Sequence, residues 1–150
     1  MMFGYIEKDW GINFPKSYLW CQANSFDKEK TSLFLSIADV PFKKINFRGF
    51  ICAFLVNGKE YRFATYNSAR VKHVEINGSG NIVSILIKKN RYRLYINIQR
   101  KDSLQLIAPS LAGMKKTITE SINSEMKVRL LKGSKILFEG TSLNTGLEIV

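Results

Sequence analysis

Two acidic residues near the start of the chain are spaced for acid catalysis. Glu7 and Asp9 flank Lys8 and precede Trp10, so an extended backbone places both carboxylates on one side. Two neighbouring carboxyl groups in an apolar site can share one proton at neutral pH, and the protonated group is then a general acid. A structural ion-pair network with Lys8 and an arginine is the competing interpretation, and the sequence leaves both open.

The segment that follows separates two kinds of side chain by simple alternation. In an extended strand one side carries rings and amides, namely Tyr18, Trp20, Gln22 and Asn24, which we call the ring-and-amide face. The other side carries Leu19, Cys21 and Ala23, which are suited to packing. We expect the ring-and-amide face to look inward onto an apolar hollow, where a ligand or the protein must satisfy the amides. Alternatively, the amides hold the preceding loop, Glu7 to Pro15.

The elements that must position these residues are predicted to be strands. Apolar residues recur with a period of two, as in 91–100, and β-branched residues favour a strand over a helix at 112–124. Asn57-Gly58 predicts a type I′ hairpin turn, and further hairpin turns are predicted at Lys89-Asn90 and at 132–134. The predicted strands are 18–26, 32–39, 51–56, 59–65, 70–76, 82–88, 91–100, 104–107, 116–122, 126–131, 135–139 and 146–150. This pattern predicts an all-β antiparallel meander, curved into a small barrel.

Composition narrows the class of protein. The 150 residues suit one domain spanning 1–150, and 45% hydrophobic with 23% charged residues argues against wholesale disorder. No apolar run approaches the length of a membrane-spanning helix and no secretory signal is recognisable, so a soluble, cytoplasmic protein is expected. The net charge of +11 is spread over turns and strand edges. We therefore expect no nucleic acid, and we keep peripheral contact with an anionic membrane as a possible partner.

Cofactors and nucleophiles are not indicated. Cys21 and Cys52 are interpreted as free, buried thiols, with a disulfide as the alternative. Together with the single histidine, His73, they give no metal-ligand spacing. Phosphate-loop and dinucleotide motifs are absent from the sequence, and His73 has no nucleophile motif beside it, so we expect no cofactor and no metal.

The string GYIEKDWGINFPKSYLWCQAN at 4–24 resembles the tocopherol cyclase family, with its Glu-Lys-Asp/Asn-Trp-Gly motif, Phe-Pro and aromatic strand. The likeness continues in ICAFLVNGKEYRFAT at 51–65, in LIAP at 106–109 and in ILFEGTSLNTGLEIV at 136–150. One departure is Tyr18, where the family pattern usually has Trp. The chain resembles the C-terminal portion of longer members, and an isolated portion would have apolar surface to cover, which favours a homodimer.

The resemblance implies a lipocalin-like (calycin-type) barrel or half-barrel and an apolar prenylated quinol or isoprenoid ligand. It implies ring closure by an intramolecular lyase, a kind of isomerase, in which Glu7 or Asp9 gives the proton. The implied ligand-binding residues are Lys8, Trp10, Phe14, Tyr18, Trp20, Gln22 and Asn24. A non-catalytic carrier of a hydrophobic ligand is the main alternative, and an assembly domain is the third.

Overall fold

The chain folds into one antiparallel sheet of ten strands. A computed structural model describes residue 15 and residues 17–28, 30–42, 45–110 and 113–150. The strands are β1 (Tyr18–Ala23), β2 (Thr31–Phe42), β3 (Ile45–Val56), β4 (Lys59–Ala64), β5 (Arg70–Ile76), β6 (Ile82–Lys89), β7 (Tyr92–Gln99), β8 (Leu104–Ser110), β9 (Gly113–Lys132) and β10 (Lys135–Ile149). A single 3₁₀ turn, Thr65–Asn67, follows β4. The all-β prediction is confirmed, as is the strand assigned to 112–124.

The strands that the structure describes do not close into a barrel. Its strand order is β4-β3-β2-β1-β10-β9-β7-β6-β5, with β8 paired to β9 beside this path. The two ends, β4 and β5, are therefore not paired with each other. Of the two predicted alternatives, the half-barrel is the one confirmed.

Local turn chemistry explains the hairpins. Asn57 and Gly58 both have positive φ angles, of 50° and 78°, which a type I′ turn requires. Asn90 and Gly133 also have positive φ, of 52° and 62°, at the turns before β7 and β10. The hairpins predicted from Asn57-Gly58, Lys89-Asn90 and 132–134 are confirmed.

The long hairpin β9–β10 organises the rest of the sheet. β1 pairs with residues 145–149 at one end of β10, whereas β7 pairs with residues 125–132 at the opposite end of β9. We call β1–β4 the first wing and β5–β7 the second wing. Register shifts between Ser142 and Leu147 bend the hairpin between the two points of attachment. The bend folds the wings toward each other.

The inner faces of the two wings form one packed core. It unites Leu35 and Phe54 of the first wing with Ile87 and Ile96 of the second, and all four side chains are fully buried. The ring of Phe54 meets the ring of Phe138 edge-on, with centroids 5.0 Å apart. At the rim, Tyr61 and Tyr92 bring the wings together with ring centroids 5.9 Å apart. The enclosed side of the sheet is therefore filled with side chains.

Both cysteines are free and buried, as predicted. Cys21 lies opposite Leu35, and Leu35 lies opposite Cys52. The thiols are thus two strands apart, roughly 9.5 Å, beyond the roughly 7 Å that a disulfide can span between Cα atoms. Burial raises the pKa of both thiols, so neither is a ready nucleophile.

In the portion of the chain that the structure describes, no helix is long and apolar enough to span a membrane.

Candidate active site

The two sides of β1 separate as the alternation predicts, but their orientation corrects one expectation. Leu19, Cys21 and Ala23 are buried in the core, which confirms their packing role. Tyr18 and Trp20 are only half-buried and lie on the opposite side of the sheet. The expectation that the ring-and-amide face looks onto an enclosed hollow is therefore wrong. The enclosed side is already packed, so a ligand site on β1 belongs to the outer side.

Sheet register extends the ring-and-amide face with two glutamates. Trp20 lies opposite Glu148 on β10, and Glu148 lies opposite Glu120 on β9. Residues directly opposite in antiparallel strands project from the same side of the sheet with Cβ atoms about 5 Å apart. Glu120 and Glu148, which we call the carboxylate pair, are therefore neighbours beside the indole. Both are partly buried.

Tyr18 is hydrogen-bonded to one glutamate of the carboxylate pair. The Tyr18 hydroxyl donates a hydrogen bond to Oε2 of Glu148 over 2.9 Å. Burial, and then this bond, raise the pKa of Tyr18, so the phenol keeps its proton. Burial, and then the charge of Glu148, raise the pKa of Glu120. The surroundings of Glu120 therefore favour its protonated form more than bulk water does.

Of the remaining ring-and-amide residues, Trp20 lies beside the pair, Gln22 is two residues further along β1, and Asn24 follows the end of the strand. Trp20 meets Phe34 edge-on, with ring centroids 6.5 Å apart. A Cβ added at Gly146 would lie 3.0 Å from the indole, so Trp20 packs closely over this glycine. Gln22 Nε2 and Asn24 Oδ1 are buried and have no hydrogen-bond partner among the described residues. Buried amide atoms without partners are costly, and a bound ligand would satisfy them.

An apolar strand borders the carboxylate pair on its other side. Leu104 of β8 lies opposite Glu120, and Leu106 lies opposite Ile118 two residues along. Leu104 is 66% exposed and Leu106 is 41% exposed. The site therefore runs from an aromatic wall at β1, through two carboxyl groups, to an accessible apolar surface at β8. This arrangement suits a ligand with a polar ring and a greasy tail.

Comparison with known proteins fixes the family. The sequence model of the tocopherol cyclase-like family matches residues 2–150. The chain belongs to the tocopherol cyclase-like family. No curated protein and no solved structure matches it. The resemblance seen in the four sequence strings is therefore confirmed at the level of the family over essentially the full chain.

The residues predicted for this tocopherol cyclase-like chain divide into two groups. Tyr18, Trp20 and Gln22 lie together on the outer face of β1, and Asn24 follows the last residue of that strand. The catalytic candidates Glu7 and Asp9, with Lys8, Trp10 and Phe14, lie outside the described residues, and their roles stay predictions. Tyr18, which stands where the family pattern usually has Trp, donates a hydrogen bond to Glu148 of the carboxylate pair.

Sequence reasoning missed Glu120 and Glu148. Each is an isolated glutamate among polar and β-branched residues, with no motif around it. Glu148 lies in the string at 136–150 that resembles the family, which is the only signal that pointed to its neighbourhood. Strand pairing between residues far apart in the chain creates the pair, and register is weakly encoded in single-strand patterns.

Two other places in the tocopherol cyclase-like fold do not match this chemistry. A shallow depression of about 480 Å³ between β7, the β9–β10 hairpin and the segment after β1 is lined largely by polar and charged side chains, and Arg129 pairs with Glu139 there over 2.6 Å. His73 is an exposed residue of β5 that contacts Glu75 and is remote from the carboxylate pair. Within the described ranges, no three His, Cys, Asp or Glu residues group together as metal ligands would.

Proposed function

We propose that this tocopherol cyclase-like protein binds a prenylated quinol or a related isoprenoid on the outer face of β1, β10 and β9. The observation that supports the proposal most is the carboxylate pair, which lies between the indole of Trp20 and the exposed apolar residues of β8. The phenol ring of a quinol fits the polar centre, and a prenyl tail fits Leu104 and Leu106. The unpartnered Gln22 amide is a ready donor for a ligand oxygen.

The proposed activity is acid-promoted ring closure. Joining a phenol oxygen to a prenyl double bond requires an acid that protonates the alkene and a surface that stabilises the resulting tertiary cation. An aromatic face supplies the second through cation–π attraction, and Trp20 lies next to the carboxyl groups. Glu7 and Asp9 remain candidates for the acid alongside the carboxylate pair.

Incubation with a prenylated hydroquinone tests the proposal. We expect a cyclised product of unchanged mass, separated by chromatography and absent from a heat-denatured control. The separate variants Glu7→Gln and Asp9→Asn then test the two N-terminal candidates. Failure of both the binding and the cyclisation of such hydroquinones would refute the proposal.

A carrier without catalysis is the second candidate, and the exposed apolar strand β8 favours it. Leu104, Leu106 and Ile107 are all accessible, which allows an apolar ligand to enter and leave. Native mass spectrometry of freshly purified protein separates the two. A co-purified lipid or quinone that returns unchanged after incubation supports the carrier, whereas conversion supports the enzyme.

The source of such a ligand is a membrane, and we propose that β8 docks there. Its residues Leu104 and Ile107 are exposed, and the chain carries a net charge of +11. These features suit an anionic bilayer surface. We expect co-sedimentation with vesicles containing anionic lipid, weakened by Leu104→Asp and by high salt. Equal binding to neutral vesicles would contradict the proposed electrostatic attraction between the protein and anionic lipid.

A homodimer stays a prediction. Light scattering coupled to size-exclusion chromatography measures it directly, and a monomeric mass at micromolar concentration would contradict it.

A further inference from the structure

The carboxylate pair is an unusual arrangement for two glutamates on neighbouring strands. Like charges placed directly opposite in a sheet are destabilising, and a cation normally relieves them. None of the ion pairs among the described residues includes Glu120 or Glu148. A proton shared between the two groups relieves the repulsion as well, and partial burial favours this solution.

The hydrogen bond from Tyr18 makes the two glutamates unequal. A hydroxyl that donates to a carboxylate stabilises its ionised form, so the proton belongs on the partner that lacks such a donor. Tyr18 donates to Glu148, and no hydrogen-bond donor to Glu120 is found among the described residues. Glu120 also adjoins the apolar residue Leu104, where the neutral form of a carboxyl group is favoured.

We propose that Glu120 and Glu148 share one proton near neutral pH, that Glu120 carries it, and that Glu120 is the acid that protonates the ligand's alkene. Tyr18 is a positioning residue that holds Glu148 through the hydrogen bond from its hydroxyl group. The catalytic half of this inference rests on the proposed function, whereas the shared proton does not.

The environment supports the assignment. Burial and the neighbouring carboxylate raise the pKa of Glu120. Around the pair, β1 contributes the phenol of Tyr18 and β8 contributes the uncharged residues Leu104 and Leu106. The titratable groups that the described neighbouring strands bring to the pair are thus the two glutamates and one tyrosine. Among the residues whose side chains the structure describes, no lysine or arginine is ion-paired with either glutamate.

The proposed step balances without any co-reactant. The O–H bond of Glu120 breaks and a C–H bond forms at the less substituted alkene carbon, which leaves a tertiary cation and a carboxylate. The phenol oxygen of the ligand attacks the cation, a C–O bond forms, and the phenol proton passes to the carboxylate. Glu120 is then protonated again, and the product is an isomer of the substrate. Trp20, opposite Glu148, faces the cation.

Infrared spectroscopy of the ligand-free protein tests the shared proton. We expect the carbonyl band of a protonated carboxylic acid to persist at neutral pH in the wild type and to be lost in Glu120→Gln. Glu125→Gln is the matched control, because Glu125 lies on the same strand but is paired with Lys127 over 3.2 Å. Tyr18→Phe should shift the pH midpoint of the band, because it removes the hydrogen bond that makes the two glutamates unequal. Absence of the band at neutral pH in the wild type overturns the inference.

Turnover tests the role of the proton. With a prenylated hydroquinone, Glu120→Gln should lower the rate roughly 10²- to 10⁴-fold, the usual contribution of a general acid, while ligand affinity stays within about threefold. Full activity in Glu120→Gln, with activity lost in Glu7→Gln or Asp9→Asn, would overturn the assignment of the acid. If no hydroquinone is bound or converted by the wild type, the proposed function fails and the catalytic role of Glu120 fails with it. The infrared band then still decides whether the proton is shared.

Discussion

The two faces of β1 obey the same alternation but serve different ends. On one face, Leu19 and Cys21 enter a core in which apolar contacts leave almost no side chain exposed. On the other, Tyr18 and Trp20 border two carboxyl groups, and the Gln22 amide nitrogen is buried with no partner in the part of the chain that the structure describes. One side of β1 therefore contributes to the stability of the fold, and the opposite side contributes to the proposed ligand site. Substitutions should therefore separate the two properties.

The largest expected effect is on the packed face. Phe54→Ala should lower the free energy of unfolding by about 3–5 kcal/mol, because Phe54 is fully buried against Phe138. Denaturant titration measures the change. Phe47→Ala is the matched control on the same strand, since Phe47 is 49% exposed, and it should cost less than about 1 kcal/mol. Similar losses for the two variants would contradict the assignment of the packed face.

On the ring-and-amide face, the expected effect is on binding. Trp20→Ala should weaken the binding of a prenylated hydroquinone by about 1.5–3 kcal/mol, the value of one large apolar contact. Trp20→Phe, which keeps a ring, should retain most of the affinity. Ligand titration followed by intrinsic fluorescence or calorimetry measures the affinity of both variants. Unchanged affinity in Trp20→Ala would remove the indole from the site.

Gly146→Ala should have a smaller effect on the same face. The new Cβ would lie 3.0 Å from Cζ3 of Trp20, so the indole must move by a few tenths of an ångström. We expect a shifted tryptophan emission and a loss of affinity of about 1 kcal/mol. At Gly78 an added Cβ meets nothing within 4 Å, so Gly78→Ala is the control. An identical response in both variants would mean that close packing at Gly146 is not involved.

The smallest effect is expected at the exposed end of the first wing. Hydrogen bonds from Arg48 and Ser17 lower the pKa of Asp39 to about 2. A lowered pKa means that the folded state releases this proton more readily than the unfolded chain does. The contribution of Asp39 is therefore complete above about pH 4 and is lost as the pH falls toward 2. Asp39→Asn should flatten this part of the acid-unfolding profile, and an unaltered profile would argue against the ion pair.

Much of the fold was predictable because it is encoded locally. The bounds of β5 match the prediction, and the turn at Asn57-Gly58 follows from residues that accept positive φ. The predicted breaks within β9 and β10 were wrong. Asn123-Ser124-Glu125 and 140–145 have the polar composition of loops, yet the two long strands continue through them with register shifts. Buried serines such as Ser124 and Ser142 pack at this bend, and only tertiary pairing determines that.

The site was predictable only in part. Alternation sorts the residues of β1 correctly, but which side faces the core depends on the whole sheet. The meeting of Glu120 with Glu148 depends on the register of β9 against β10, and Tyr18 reaches Glu148 across 130 positions of sequence. No pattern within a single strand specifies which residues of distant segments become neighbours.

The reactivity of the two free, buried thiols can be used to measure local opening of the half-barrel. Cys21 and Cys52 are completely shielded in the middle of the first wing. A thiol reagent can reach them only when neighbouring strands separate. The rate of alkylation therefore measures how often the sheet opens locally. Because no covalent link joins the two sulfurs, a bound ligand that slows this reaction must do so by holding the strands together.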